Sequence, residues 1–241
     1  MHKTLIIFDV DGTLVYSDKL DSQCFADTYQ TLYKRKFPSI DWRRYPHVTD
    51  HTIFNTVIHE HFGRRAEQEE IDHFQNHFVD LLRQNRIDRP EAFLQIPNAR
   101  ETILKLLEDE QFVVGIGTGG WHRPACLKLE HVGIPVEPLF ISAADGKDTR
   151  EAITEDVIQQ AAAVHTIFHR IVYVGDAEWD VVTTRNLSMN FIGIRRDGDK
   201  EVLHRAGATT VLQDFSNQAL FLRAIQTATP PINMPTAELF S

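Results

Sequence analysis

Cysteine is scarce in this chain, and features that would mark several classes of protein are missing. Only Cys24 and Cys126 occur, far apart in segments with a helical pattern, which argues against a disulfide framework and a cysteine-based zinc site. No apolar run reaches the roughly 18 residues that a transmembrane helix needs. The N-terminal residues lead into an apolar segment without the pattern of a secretory leader, so a reducing, cytoplasmic location is expected.

Basic residues are also in deficit. The chain has 25 Lys and Arg against 34 Asp and Glu, a formal charge of −9, which disfavours binding to nucleic acid or to an anionic membrane. A small phosphorylated metabolite stays compatible as a partner, because a few local cations can bind it. With 241 residues, 42% of them hydrophobic, the chain can bury a sizeable core, and we expect a monomer or dimer.

Two carboxylates follow an apolar run near the N-terminus. The segment Ile6–Phe8 precedes Asp9-Val10-Asp11-Gly12-Thr13, and residues i and i+2 of an extended segment point to the same side. A hard cation such as Mg²⁺ would relieve the repulsion between the two acids. The segment alone is equally typical of a strand-to-turn corner in which Asp9 caps a backbone amide.

The rest of the chain divides by pattern. Residues 17–95 show helical periodicity and no convincing strand, whereas residues 96–228 alternate between strand and helix patterns. We therefore predict an α/β fold, a doubly wound, Rossmann-like parallel-sheet core with an inserted all-α cap. The predicted domains are a core of residues 1–16 and 96–241 and a helical cap of residues 17–95, with an irregular tail from Thr229.

Three further predicted strand ends carry polar residues. One strand leads to Thr118-Gly119-Gly120, a hydroxyl followed by glycines whose amides can approach a phosphate, and another leads to Asp176 and Asp180. Between them, Lys147 and Arg150 lie near the start of a predicted helix, where an anion is favoured. Each segment alone is also typical of an ordinary strand-to-helix loop.

Taken together, these four segments resemble the motifs of the haloacid dehalogenase superfamily over nearly the whole chain. The first and last motifs are specific when found together. The resemblance implies that Asp9 is the nucleophile that forms an aspartyl-phosphate, and that Asp11 protonates the leaving group and later activates water. It also implies phosphate binding by Thr118, Gly119 and a third-motif cation.

The resemblance further implies Mg²⁺ as cofactor. The ligands would be the Asp9 carboxylate, the Asp11 backbone carbonyl and Asp176, with Asp180 behind them supporting the ligands. The third motif departs from the common Lys-Pro pattern. We favour Arg150 over Lys147 as its cation, because Arg150 opens the predicted helix and a rigid element aims a charge better than a loop does.

The function so predicted is Mg²⁺-dependent hydrolysis of a small phosphate monoester, similar to phosphoglycolate phosphatase. Dehalogenase members of the family lack an acid at the position of Asp11, so its presence favours phosphate chemistry. The alternatives are a phosphosugar mutase of the same superfamily and a noncatalytic phosphate-binding module on the same fold. Phosphoglycolate, sugar phosphates and nucleoside monophosphates are all compatible substrates.

Other residues near these motifs receive simpler interpretations. Lys128 is interpreted as a surface residue, and Trp179 is expected to pack beneath the metal loop without binding a ligand. The segment His47–His51 is a candidate cap loop that contacts substrate.

Overall fold

The computed structural model describes residues 3–165, 167–195 and 199–233. Within these ranges, six parallel strands form one sheet in the order β5-β4-β1-β6-β7-β8. The strands of this sheet are β1 (Lys3–Phe8), β4 (Phe112–Gly117), β5 (Phe140–Ser142), β6 (Phe168–Gly175), β7 (Asn190–Ile194) and β8 (Val211–Leu212). The predicted doubly wound, Rossmann-like α/β fold is confirmed.

Helices cover both faces of the sheet. The helices that alternate with these strands along the chain are α4 (Ala99–Glu108), α5 (His122–His131), α6 (Arg150–His165), α7 (Glu178–Asn186), α8 (Lys200–Ala206) and α9 (Gln218–Thr227). Along β1, Ile6 and Phe8 pack with α4, α5 and α9, while Leu5 and Ile7 pack with α6, α7 and α8. Every residue of β1 after Lys3 is buried, because both faces of the central strand are covered.

The segment between β1 and α4 is mainly helical, as its periodicity predicts. It contains α1 (Asp18–Tyr33), α2 (Asp50–Phe62) and α3 (Gln68–Asp88), with a short 3₁₀ turn at Trp42–Arg44. Their apolar faces form a cluster rich in aromatic rings that also takes in Trp121, Leu127 and Ile153 from the α/β part. The helical segment therefore packs directly on the elements that follow the strands; the domain boundaries at 16/17 and 95/96 remain a prediction.

The expectation that residues 17–95 contain no strand is wrong at one point. Leu94–Gln95 forms β3, which pairs antiparallel with β2 (Val15–Tyr16). Neither run is long enough to show a period, so the pairing is decided by tertiary contact alone. This two-stranded ribbon lies where the chain passes from the α/β part into the helical segment and where it returns from it.

Residues 96–228 alternate between strands and helices as their patterns predict. Residues 229–233 form no regular helix or strand, as expected for the tail, whose Pro235 lies outside the described residues. Within the described ranges, the helices are too short or too polar to traverse a lipid bilayer.

Candidate active site

The polar segments after β1, β4 and β6 meet at one edge of the sheet. The three strands are neighbours and run parallel, in the order β4-β1-β6, so their carboxyl ends lie side by side. This is the edge at which open α/β sheets bind ligands. A cleft of about 460 Å³ opens there and is lined by Asp9, Asp11, Thr118, Arg150 and Asp176.

Asp9 lines the cleft and is buried, with only 3% of its surface exposed. Its backbone N–H donates to the Val174 carbonyl at 2.9 Å, which holds the residue at the end of β1. Its carboxylate Oδ1 is buried without a hydrogen-bond partner, and the nearest cation, Arg150 Nη1, is 3.7 Å away. Burial raises the pKa of Asp9 to about 7, although Arg150 opposes the shift.

Asp9, Asp176 and Asp180 form an acidic cluster whose candidate ligand oxygens all lie within 4.8 Å of one another. Burial and mutual repulsion raise the pKa of Asp176 well above its ordinary value. Crowded acids of this kind, including an Asp9 Oδ1 that has no hydrogen-bond partner, are the donor set that a hard cation prefers. The described residues thus fit a divalent metal at this position.

Asp180 is already occupied by other hydrogen bonds. Its Oδ2 accepts from the backbone N–H groups of Asp176 and Ala177, each at 3.1 Å, and its Oδ1 accepts from Arg150 Nη1 at 2.8 Å. With both oxygens engaged, Asp180 holds the loop that carries Asp176. Asp9 and Asp176 are less engaged and are therefore the better carboxylate ligands; the supporting role of Asp180 stays a prediction.

Gly12 explains why the first motif needs a glycine after Asp11. Its φ is +78°, in the region that favours glycine, and a Cβ there would lie 2.2 Å from Asp176 Oδ2. Thr13 Oγ1 also donates to Asp176 Oδ1 at 3.4 Å. The turn after β1 therefore packs against the acidic residue that follows β6.

Thr118 and Gly119 form the loop after β4, and both line the cleft. Thr118 is buried, and its hydroxyl accepts from the Gly120 N–H at 3.2 Å. A Cβ on Gly119 would lie 2.4 Å from the Val48 carbonyl oxygen and 2.6 Å from Arg150 Nη2. The glycine is thus required by the close approach of the helical segment and of the arginine.

Arg150 and Lys147, the two candidates for the third motif, point in different directions. Arg150 opens α6, and its guanidinium contacts Asp180 and lies beside Asp9. Lys147 Nζ instead pairs with Asp156 at 3.1 Å. Of the two, Arg150 is the one that lies in the cleft, and its role as the third-motif cation stays a prediction.

The interpretation of Lys128 as a surface residue is wrong. Only 1% of Lys128 is exposed, and its Nζ donates to Asp11 Oδ2 and Oδ1 at 2.6 and 2.8 Å and to Asp21 Oδ1 at 2.9 Å. Burial works to lower the pKa of Lys128, but the carboxylates of Asp11 and Asp21 raise it overall. Helical spacing was the available signal, since Lys128 lies on the same face as the buried Ala125 and Leu129.

Trp179 is among the residues that line the cleft, and the expectation that it packs beneath the metal loop without binding a ligand stays a prediction. Arg150 Cζ lies 5.7 Å from the centroid of the Trp179 ring, within reach of a cation–π contact. Arg195, at the end of β7, lines the cleft nearby, with its Nη1 3.8 Å from Asp176 Oδ2. Sequence reasoning did not single out Arg195.

The loop around residues 47–51 closes directly over the strand ends. The Asp50 N–H donates to the Gly119 carbonyl at 2.7 Å, and Asp50 Oδ2 accepts from the Trp121 N–H at 2.9 Å. Arg150 Nε donates to the Val48 carbonyl at 3.0 Å. The helical segment therefore forms one wall of the cleft through Val48 and Asp50, and contact of this loop with substrate stays a prediction.

Comparisons with known proteins agree with this fold. The family model described as haloacid dehalogenase-like hydrolase matches residues 6–194. Among curated proteins, none matches the sequence significantly.

Several solved structures are similar over nearly the whole chain. A hydrolase from Pseudomonas syringae has a TM-score of 0.66 at 20% identity, covering 94% of this chain and 100% of its own. A predicted phosphoglycolate phosphatase from Haemophilus somnus has a TM-score of 0.63 at 14% identity, covering 92% and 99%. A β-phosphoglucomutase from Pyrococcus has a TM-score of 0.53 at 14% identity, also covering 92% and 99%.

At such identities the structures establish the fold, while the family model, which spans most of the chain, establishes the family. The chain belongs to the haloacid dehalogenase-like hydrolases, and is an enzyme of that family.

Proposed function

We propose that this enzyme hydrolyses small phosphate monoesters through an aspartyl-phosphate on Asp9. The observation that carries the proposal is the meeting of Asp9, Arg150, Thr118 and Asp176 in one cleft. A carboxylate beside a cation and the backbone amides of a loop suits attack on a phosphoryl group, whose transition state spreads negative charge over its oxygens.

The residues supply two displacements. Asp9 Oδ attacks phosphorus while the bond to the leaving oxygen breaks, and Asp11 gives a proton to that oxygen. Water then attacks phosphorus with Asp11 as base, the bond to Asp9 breaks, and inorganic phosphate leaves. Thr118, the Gly119 N–H and the Arg150 guanidinium would hold the transferring oxygens.

We propose Mg²⁺ as the cofactor, held by the Asp9 and Asp176 carboxylates and the Asp11 carbonyl, with Asp180 supporting the loop. When bound, it would neutralise charge between the Asp9 carboxylate and the phosphoryl oxygens. The lack of a hydrogen-bond partner for Asp9 Oδ1 and the crowding of the acidic cluster support this assignment.

The substrate is proposed to be a small phosphorylated metabolite, because the cleft measures only about 460 Å³ and is bounded by the helical segment. The Haemophilus neighbour, a predicted phosphoglycolate phosphatase, is consistent with a substrate of the phosphoglycolate class. A phosphosugar mutase is the second candidate, suggested by the Pyrococcus neighbour.

The test is release of inorganic phosphate from p-nitrophenyl phosphate and a panel of phosphorylated metabolites with Mg²⁺ present. The native chain should release phosphate, EDTA should abolish release reversibly, and Asp9→Asn should abolish it while circular dichroism stays native. Isomerised hexose phosphate without net phosphate release would identify a mutase. Full turnover by Asp9→Asn would refute the nucleophile, and full turnover in EDTA would refute the metal.

A further inference from the structure

Lys128 is a buried lysine whose contacts join three separate elements. It lies on α5, in the α/β part, and is among the largest side chains with less than 2% exposure. Its Nζ donates to Asp11, in the loop after β1, and to Asp21, on α1. Burying an ammonium group is costly unless it is paired, and Lys128 is paired with two carboxylates.

Asp11 is held on two sides by these neighbours. Both of its oxygens accept from Lys128 Nζ, and Ser17 Oγ donates to Oδ1. Lys128 and Ser17 are themselves buried, so neither donor is free to follow the carboxylate into solvent. The Asp11 side chain is 25% exposed, and Asp11 lines the cleft.

Asp21 extends this arrangement to the helical segment. It is the fourth residue of α1, and it shares the Lys128 ammonium with Asp11. The lysine thus ties the acid beside the strand ends to the helix that forms a wall of the cleft. A substitution at Lys128 would release both contacts at once.

We propose that Lys128 is the positioning residue for Asp11, fixing the orientation in which that carboxyl meets the leaving oxygen and then the attacking water. The inference rests on the proposed function, because it assumes that Asp11 exchanges the proton in both displacements. Lys128 itself forms and breaks no bond. Misplacing a reacting group by about 1 Å can cost on the order of a hundredfold in rate.

The test compares two probes that differ in their need for a proton. Phenyl phosphate has a poor leaving group that needs protonation, whereas the leaving group of 2,4-dinitrophenyl phosphate departs readily without it. For Lys128→Met, kcat/KM should fall about a hundredfold with phenyl phosphate and less than about tenfold with 2,4-dinitrophenyl phosphate. Lys36→Met, at an exposed lysine, is the matched control and should leave both values native.

Two further readouts separate positioning from a merely structural role. With 2,4-dinitrophenyl phosphate, Lys128→Met should give a burst of dinitrophenol whose amplitude equals the enzyme concentration. The burst arises because water attack on the phosphorylated Asp9 still needs Asp11. In an Asp11→Asn background, adding Lys128→Met should cause no further loss, since Lys128 acts only through Asp11.

If Lys128→Met does not fold, the Asp21→Asn/Lys128→Met pair replaces it, because that pair leaves one fewer unpaired carboxylate. Equal losses with both probes, an additive loss in the Asp11→Asn background, or native activity in a folded Lys128 variant would overturn the inference. A native enzyme that releases no phosphate from either probe would instead overturn the proposed function, and this inference with it.

Discussion

Arg150 makes contacts that Lys147 does not, and the two residues offer a direct comparison. Arg150→Ala should lower kcat/KM by about 10²–10³, because it removes the cation beside Asp9 at which phosphoryl charge develops. Lys147→Ala removes only a pairing with Asp156 worth at most about 1 kcal/mol, so activity should stay near native. Steady-state assays of both variants decide the ranking, with circular dichroism as the control; a larger loss at Lys147 would reverse the assignment.

The buried carboxyl of Asp9 should make the metal-free fold sensitive to pH. Its pKa is raised from 3.8 to about 7 in the folded chain. Between these values the unfolded chain releases the proton while the folded chain keeps it, so stability falls as pH rises and levels off above about 7. Relative to the native chain in EDTA, Asp9→Asn should therefore gain stability progressively from pH 4 to pH 7.

Urea unfolding in EDTA at several pH values measures this effect. Asp27→Asn, at an exposed carboxylate, is the matched control. Adding Mg²⁺ should stabilise the native chain more than Asp9→Asn, because the variant lacks one proposed ligand. A difference in the free energy of unfolding between the native and Asp9→Asn chains that stays constant with pH would contradict the raised pKa of Asp9.

At the scale of elements, the start of α2 both caps a helix and closes the cleft. Thr49 Oγ1 accepts from the Thr52 N–H at 3.2 Å and lies 3.3 Å from the Asp148 carbonyl. Asn217 caps α9 in the same manner, accepting from the Leu220 N–H at 3.0 Å, but lies outside the cleft. Comparing substitutions at the two caps therefore distinguishes an effect on helix stability from an effect on the site.

Thr49→Ala and Asn217→Ala should each lower the free energy of unfolding by about 1 kcal/mol. Only Thr49→Ala should also raise KM, because it loosens the loop that carries Val48 and Asp50 over Gly119. Urea unfolding and phosphatase assays of both variants test the prediction. Equal effects of the two substitutions on KM would show that the loop does not shape the cleft.

At the scale of the molecule, Trp121 joins the helical cluster to the α/β part. Its ring stacks on Phe25 with centroids 5.6 Å apart and contacts Phe54 and Phe74. Trp121 precedes α5 and is fully buried. The aromatic contact therefore holds the helices against the loop that carries Thr118 and Gly119.

Trp121→Ala should lower the free energy of unfolding by about 3–5 kcal/mol, the usual cost of emptying a buried aromatic site. Trp179→Ala is the comparison, because Trp179 lines the open cleft and its removal leaves less of a cavity. Denaturant unfolding followed by far-UV circular dichroism measures both. Equal losses would mean that Trp121 does not hold the two parts together.

The amino-acid sequence was enough to predict the parallel α/β core and the strand ends that carry Asp9, Thr118 and Asp176. These features depend on local patterns: apolar runs that end in polar residues, and helices with a regular apolar stripe. The resemblance to one family then joined these segments into one set of motifs, because the four segments occur in the order that the family shows.

Which distant side chains contact one another depends on the tertiary structure and cannot be inferred from local sequence patterns. Lys128 pairs with Asp11 and Asp21, and Val48 closes over Gly119, through packing between elements far apart in the chain. The two-residue ribbon of β2 and β3 is equally invisible to periodicity. A side chain's burial and partners depend on what the rest of the chain places against it, and local sequence patterns do not carry that information.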